Sequence, residues 1–460
     1  MEQGKYTYST FACIFVILIA LLNFGRVIVP DYGAHSYRPG LVFPPDNIIG
    51  ADFQSYNYMA LRVRYGMPLY EELDRSDPRQ SALDAHYRVL LGPLPDALKD
   101  WMVRVQALPW NHPPVSARLF VPFTFLLHPW AYRVYLGLLI AALFLALALL
   151  SGYARHRAHY WAICSALVAF SYPLRFELER GASEALVLLL VTSAFVVWRG
   201  GRHAVAAGAL IALAAHVKMY PLIFLYYFIL KKEWRACLSI IVTALILIVA
   251  SALVSREGTA AGFAQYWKLY RFVKDVYIPG DTWVFAGNHS TYSFMSYLLQ
   301  KRALPTAFLL RLSGIVNCAL LACVSFSIVA RKARDTLSYL ADFCLVMIVM
   351  TVTPPAANDY SLVMFYFVFA SCIVMFENLD FQFLRTRALF LAFSMSAALI
   401  FLSTLQFPII LGPSGGYMPK LWLLSNKWPL VIILGGTIWL VRGELLRRPG
   451  ASVTSGRVLT

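Results

Sequence analysis

The residues able to do chemistry in this 460-residue chain gather in a few places, each beside a long apolar run. Asp52 stands in Gly50-Ala51-Asp52-Phe53, with Tyr56 four positions on. His112 follows in Trp110-Asn111-His112-Pro113-Pro114. Arg175, Glu177, Glu179, Arg180 and Glu184 crowd one short stretch, and Lys218 sits in His216-Val217-Lys218-Met219-Tyr220-Pro221 between two apolar segments. Asn288, His289 and Ser290 close a later polar stretch, and Asn358 and Asp359 the next. Ionisable groups at membrane depth are expensive, which makes them functional candidates by default. Acids and bases at the same ends of apolar runs can line a site on one membrane face. Each also has a plainer reading. Asp52 could be a solvated loop acid, the 175–184 group a set of self-neutralising ion pairs, and Lys218 a snorkelling side chain. His112 could only shape a rigid turn, and Asn288-His289-Ser290 also fits the short N-glycosylation pattern.

Several chemistries leave no trace. There is no Asp-x-Asp pair for a metal-bound nucleotide sugar, no Walker loop and no paired-glycine dinucleotide fingerprint. His-Glu-x-x-His is missing too. What remains is chemistry whose activated group arrives already attached to a lipid, with neither cofactor nor metal, or no chemistry at all.

The elements that must position these residues are membrane helices. Hydrophobic residues make up 59% of the chain and charged ones only 14%, which rules out a soluble globular protein. Apolar runs near the roughly 20 residues that cross a bilayer recur at 11–29, 135–150, 236–254, 315–330 and 388–410. The first resembles a signal peptide, but it lacks a small-residue cleavage site and reads as a retained helix. The net charge of +16 is expected from Lys- and Arg-rich cytoplasmic loops, and nucleic acid is not expected as a partner. All seven cysteines (Cys13, Cys164, Cys237, Cys318, Cys323, Cys344 and Cys372) fall in or beside apolar runs, which points to packing rather than disulfides.

Basic clusters at Arg155/Arg157, Arg199/Arg202, Lys231/Lys232/Arg235, Arg331/Lys332/Arg334, Arg385/Arg387 and Arg442/Arg447/Arg448 leave room for two spans between neighbours. Putting every cluster in the cytoplasm needs roughly twelve spans, with both termini inside. All candidate residues then share the outer face. The architecture expected is a single all-α polytopic membrane domain over 1–460. It has a first outer loop at 31–130, a second at 255–305 and a cytoplasmic tail at 443–460. Interfacial helices are expected at 56–65, 82–91 and 97–108, and the proline-broken stretch 116–130 is expected to lie in the interface or dip into it.

Asp52-x-x-x-Tyr56, Gly66-Met67-Pro68-Leu69-Tyr70, Asn111-His112-Pro113-Pro114, Glu179-Arg180-Gly181-Ala182-Ser183-Glu184, Lys218-Met219-Tyr220-Pro221 and Ala286-Gly287-Asn288-His289-Ser290 occur in that order. In this order the chain resembles glycosyltransferase family 87, a GT-C membrane family. The resemblance runs from Asp52 to about 366, with departures at 181–184 and at His289. It implies a GT-C-like fold and transfer of a sugar, mannose by family expectation, from a polyprenyl-phosphate donor to a glycolipid or glycan acceptor. The reaction implied is inverting and metal-independent. The setting expected is a bacterial inner membrane, with the site on the outer, periplasmic face that the basic loops assign. It assigns Asp52 as catalytic base. Lys218, Arg180 and Arg175 are then the candidates for the donor phosphate. Tyr56, His112, Glu179, Glu184, Asn288, His289, Ser290 and Asp359 are candidates for the remaining substrate contacts, and membrane lipids are the other expected partners.

A secondary transporter or flippase is the competing reading, because about twelve spans with both ends inside also suits a transporter. The absence of an internal repeat and the long, charged outer loops weigh against it. An acyl- or phosphotransferase would need a His-x-x-x-x-Asp pair, which the chain lacks.

Overall fold

A computed structural model describes residues 51–70, 77–92, 112–201, 203–273, 288–299, 304–330, 335–354, 359–379, 384–401 and 427–447, with isolated positions between them. The expected first helix at 11–29, most of the expected helix at 97–108, Asn111, Asn358 and most of the tail lie outside the described residues.

The outer elements come first. Helix α1 (Ala51–Tyr65) is followed by α2 (Pro78–Leu90), α3 (Pro114–Leu119) and a 3-10 turn at Val121–Phe125. Then come α4 (His128–Ser151), α5 (Arg157–Phe170), α6 (Tyr172–Arg180), α7 (Glu184–Gly201), α8 (Ala204–Val217), a 3-10 turn at Tyr220–Leu222 and α9 (Ile223–Leu230). The rest are α10 (Trp234–Leu253), α11 (Thr259–Phe272), α12 (Thr291–Leu299), α13 (Thr306–Ala330), α14 (Thr336–Val352), a 3-10 turn at Asp359–Met364, α15 (Phe365–Glu377), α16 (Leu384–Phe401) and α17 (Trp428–Arg447). No strand occurs among the described residues. The protein is an all-α integral membrane protein.

Four helices among the described residues are long and apolar enough to cross a membrane, namely α4, α10, α13 and α17. The bent pair α6–α7 makes a fifth if counted as one span. In lipid every backbone polar group must be satisfied within the segment, which leaves helix as the available form. Helix α4 shows the pattern. Tyr132, Tyr135, Leu139, Leu143, Ala146 and Leu150 are buried at helical spacing, while Val134, Leu138 and Leu145 are exposed on the opposite side.

Helices α4, α7, α8 and α10 pack each on the next, and α14 and α15 are the helices buried almost throughout. At Gly208 of α8 an added Cβ would lie 2.4 Å from the Ala236 carbonyl oxygen, so the α8–α10 contact closes to backbone distance. Ser239 Oγ donates across it to the Val205 carbonyl at 2.6 Å. Small residues serve here because helices in lipid associate by close packing rather than by hydrophobic expulsion.

One local expectation gains detail and another changes. The stretch 116–130 folds as α3 and the 3-10 turn, and α4 begins at His128, with Pro114, Pro122 and Pro129 all standing at helix starts. Helix α1 begins at Ala51 rather than near 56, which puts Asp52 in its first turn.

Candidate active site

Three elements meet around an elbow. Helix α6 ends at Gly181, whose φ of 68° is the left-handed value that glycine adopts without strain. After Ala182 and Ser183 the chain leaves as α7, bent by 118° from α6. The elbow also needs glycine for space, since an added Cβ would sit 2.7 Å from Phe53 Cβ and 2.9 Å from the Tyr132 ring. Tyr135 donates to the Ala182 carbonyl at 3.0 Å, and Tyr132 donates to the Leu178 carbonyl. Two α4 phenols thus hold the elbow, with Phe53 of α1 stacked on Tyr135 at 5.0 Å.

Each limb presents a charged residue. On the α6 side Arg180 forks onto Asp52: Nη2 is 2.6 Å from Oδ1, and Nε is 3.2 Å from Oδ1 and 3.3 Å from Oδ2. Both side chains remain partly open to solvent. On the α7 side Glu184, fully buried, accepts from Lys218 Nζ, which reaches it from the end of α8. Between the pairs the Tyr56 hydroxyl lies 3.2 Å from Ser183 Oγ. Burial raises the Tyr56 phenol well above its ordinary value, with Lys218 opposing, so it stays protonated.

His112 joins from the loop before α3, its ring 5.3 Å from that of Tyr56. Burial first and Lys218 second push the imidazole down to about 3, with Asp52 pulling the other way. It is neutral at physiological pH. Its carbonyl accepts from Tyr70, which ties the Gly66–Tyr70 and Asn111–Pro114 motifs together. The Tyr220 hydroxyl, in electrostatic reach of Glu184, Lys218, Glu177 and Tyr56, is buried without a hydrogen-bond partner.

The other expected residues stand apart from this group. Arg175 and Glu179 pair with each other at 2.6 Å one turn apart, well exposed. Asn288, His289 and Ser290 are fully buried. Asn288 Oδ1 accepts from the Ser290 and Ala357 amides at 3.1 and 2.9 Å, and His289 Nδ1 accepts from the Lys427 amide at 3.1 Å. This burial leaves no room for a glycan on Asn288. The segment reaches the elbow indirectly, because the turn after Ala357, which opens with Asp359, packs on α6 and α7.

One elbow residue was not singled out by sequence for a role of its own. Glu177 is fully buried, and its Oε1 accepts from the Ala185 amide at 2.7 Å, capping the N-terminus of α7. The only hint in the sequence is an acid in a helical stretch that also faces an apolar span.

Among proteins already described, the family model for glycosyltransferase family 87 matches residues 110–355. No curated protein and no solved structure matches the chain.

Proposed function

Because the chain belongs to glycosyltransferase family 87, and is therefore a membrane glycosyltransferase, we propose that it moves a sugar from a polyprenyl-phosphate donor to a glycolipid or glycan acceptor on the extracytoplasmic face, with inversion. Mannose is the sugar we propose. The observation that carries this reading is the Asp52–Arg180 pair at the elbow, set beside the Glu184–Lys218 pair: two carboxylates, of which only Asp52 is open to solvent, and two cations around one place.

In this mechanism the acceptor hydroxyl attacks the anomeric carbon, and its proton passes to an Asp52 oxygen as the new bond forms. The bond from the anomeric carbon to the phosphate oxygen breaks on the opposite side. Polyprenyl phosphate leaves with the electron pair and needs no proton. What it needs is fixed positive charge where negative charge develops. Arg180 serves best, since a guanidinium has five donors and can bridge the carboxylate and the phosphate at once. Lys218 serves from the second side, and the Tyr220 hydroxyl fits a phosphate or sugar oxygen. Neutral His112 and Tyr56 fit sugar hydroxyls. Arg175, Glu179 and the 288–290 segment act less directly, at the rim and behind the turn at 359–364.

Helix α8 has 14 residues, about 21 Å of length against the roughly 30 Å hydrocarbon core. With its start at the cytoplasmic surface, as the proposed topology has it, the end that carries Lys218 would stop short of the outer surface, at a depth that suits a phosphate on a membrane-embedded isoprenoid. The remaining topology we propose is roughly twelve spans, both termini cytoplasmic, a bacterial inner membrane and a periplasmic site.

The test is sugar transfer from polyprenyl-phosphate-mannose in detergent or membranes, comparing the wild type with Asp52→Ala and Asp52→Asn. Loss of about 10²-fold or more in both folded variants supports the base assignment. Transfer at wild-type rate in both removes Asp52 from the mechanism. A wild type that neither transfers nor hydrolyses the donor removes that donor.

A further inference from the structure

The far end of the bundle holds a second charged cluster that the transfer mechanism does not use. Helix α7 starts at Glu184 and carries Arg199 in its last turn; its 18 residues span about 27 Å. At that distant end Lys231, which caps α9, lies 2.5 Å from Asp342 Oδ2, and Arg442 of α17 donates to Oδ1 of the same carboxylate. Asp342 is completely buried and both of its oxygens are engaged.

Arg199 makes this a third cation. Its guanidinium lies over the Tyr339 ring at 3.9 Å, and Lys231 Nζ approaches the same ring at 4.8 Å. Two like charges thus crowd one aromatic ring beside a single carboxylate already shared by two cations. Two buried polar atoms of this cluster have no hydrogen-bond partner. Arg199 Nε is buried and makes no hydrogen bond, and neither does the hydroxyl of Tyr227, a fully buried residue. That hydroxyl is in electrostatic reach of Asp342, Tyr339, Arg199 and Arg442. A buried donor left unmade is costly, and surplus charge at low dielectric more so. An anion offering several oxygens relieves both.

We propose that Arg199, Lys231 and Tyr227 form a binding site for a phosphate-class anion, either the headgroup phosphate of a lipid or free inorganic phosphate. Guanidinium, ammonium and phenol are the donors that phosphate oxygens take, and the ends of α7, α9, α14 and α17 close around the position. The site does not depend on the transfer reading; only its placement in the cytoplasmic leaflet rests on the topology proposed above. Bound there, the anion would fasten together four helices whose opposite ends include the elbow.

The test uses full-length protein, wild type against Arg199→Gln and Tyr227→Phe, both of which leave the Lys231–Asp342–Arg442 contacts in place. Native mass spectrometry from detergent containing phosphatidylglycerol reads lipid retention. Thermal unfolding in inorganic phosphate, against chloride at equal ionic strength, reads the free ion. Each variant is expected to weaken binding about tenfold, the effect of losing one hydrogen bond to a charged group. Retained lipid that the variants lose identifies a headgroup phosphate, and protection by phosphate alone identifies the free ion. A monodisperse gel-filtration profile and one cooperative unfolding transition in chloride show that the variants fold, so an anion effect is separable from failure of the transfer reading. If wild type and folded variants behave alike in both assays, the cluster is an ionic fastening only and the proposal is overturned.

Discussion

Arg180 and Asp52, 128 positions apart in the chain, face each other as a forked pair, with Nη2 2.6 Å from Oδ1. The residue proposed as base and the cation proposed for the leaving phosphate are therefore one unit before substrate arrives. Replacing either should disturb the same step. Arg180→Ala is expected to lower kcat/KM about 10²- to 10³-fold, and Arg180→Lys by less. The Asp52→Ala/Arg180→Ala double variant should be little worse than the poorer single one. Additive losses in steady-state kinetics would show that the two act separately.

The Glu184–Lys218 pair is different in kind because Glu184 is fully buried. Lys218→Met leaves that carboxylate without its counter-ion and is expected to destabilise the protein by about 3–5 kcal/mol. Adding Glu184→Gln should recover much of the loss. Thermal unfolding of the two variants in detergent checks this, and an equally unstable double variant would refute it.

Glu177 caps α7 through a single oxygen. Glu177→Gln keeps an acceptor in place and should unfold close to the wild type. Glu177→Ala leaves the Ala185 amide unmet and should cost about 1–3 kcal/mol. It should also lower kcat more than it raises KM, since the elbow orients both ion pairs.

Gly181→Ala combines a positive φ with a Cβ 2.7 Å from Phe53 Cβ. The α1–α6 contact must open, which separates Asp52 from Arg180. A loss of transfer with only a modest drop in unfolding temperature is expected, read by the two assays on one preparation.

His112 gives a pH signature. Its folded value of about 3 lies below the ordinary 6.5, so between the two the unfolded chain binds the extra proton. This group's contribution therefore makes stability rise as pH climbs through that window and level off above it. Unfolding temperature measured across the window should climb less steeply in His112→Gln than in the wild type. Identical slopes would mean that the imidazole is not held neutral.

Much of this was legible from sequence because it follows from local physics. Apolar length and the placement of basic residues mark the membrane helices, and the polar motifs at their ends mark where to look. Other features were not legible for reasons equally physical. Arg175 and Arg180 are both arginines of α6, yet one faces solvent with Glu179 and the other faces Asp52. Only the direction of α6 against α1 separates them. Asn288 and His289 look like ligands for sugar hydroxyls, but both are fully buried, and Asn288 Oδ1 and His289 Nδ1 accept from the Ala357 and Lys427 amides.

By itself, then, the sequence determined that this chain is helical and membrane-embedded, and it brought Asp52, Arg180, Glu184 and Lys218 forward as the charges to explain. It could do so because spans and their polar ends are set within a window of some 20 residues. Tertiary structure alone decided the pairings: Asp52 with Arg180, Glu184 with Lys218, and Asp342 between Lys231 and Arg442. Those depend on the bend at Gly181 and on which side of each helix meets its neighbour, quantities that no stretch of sequence contains.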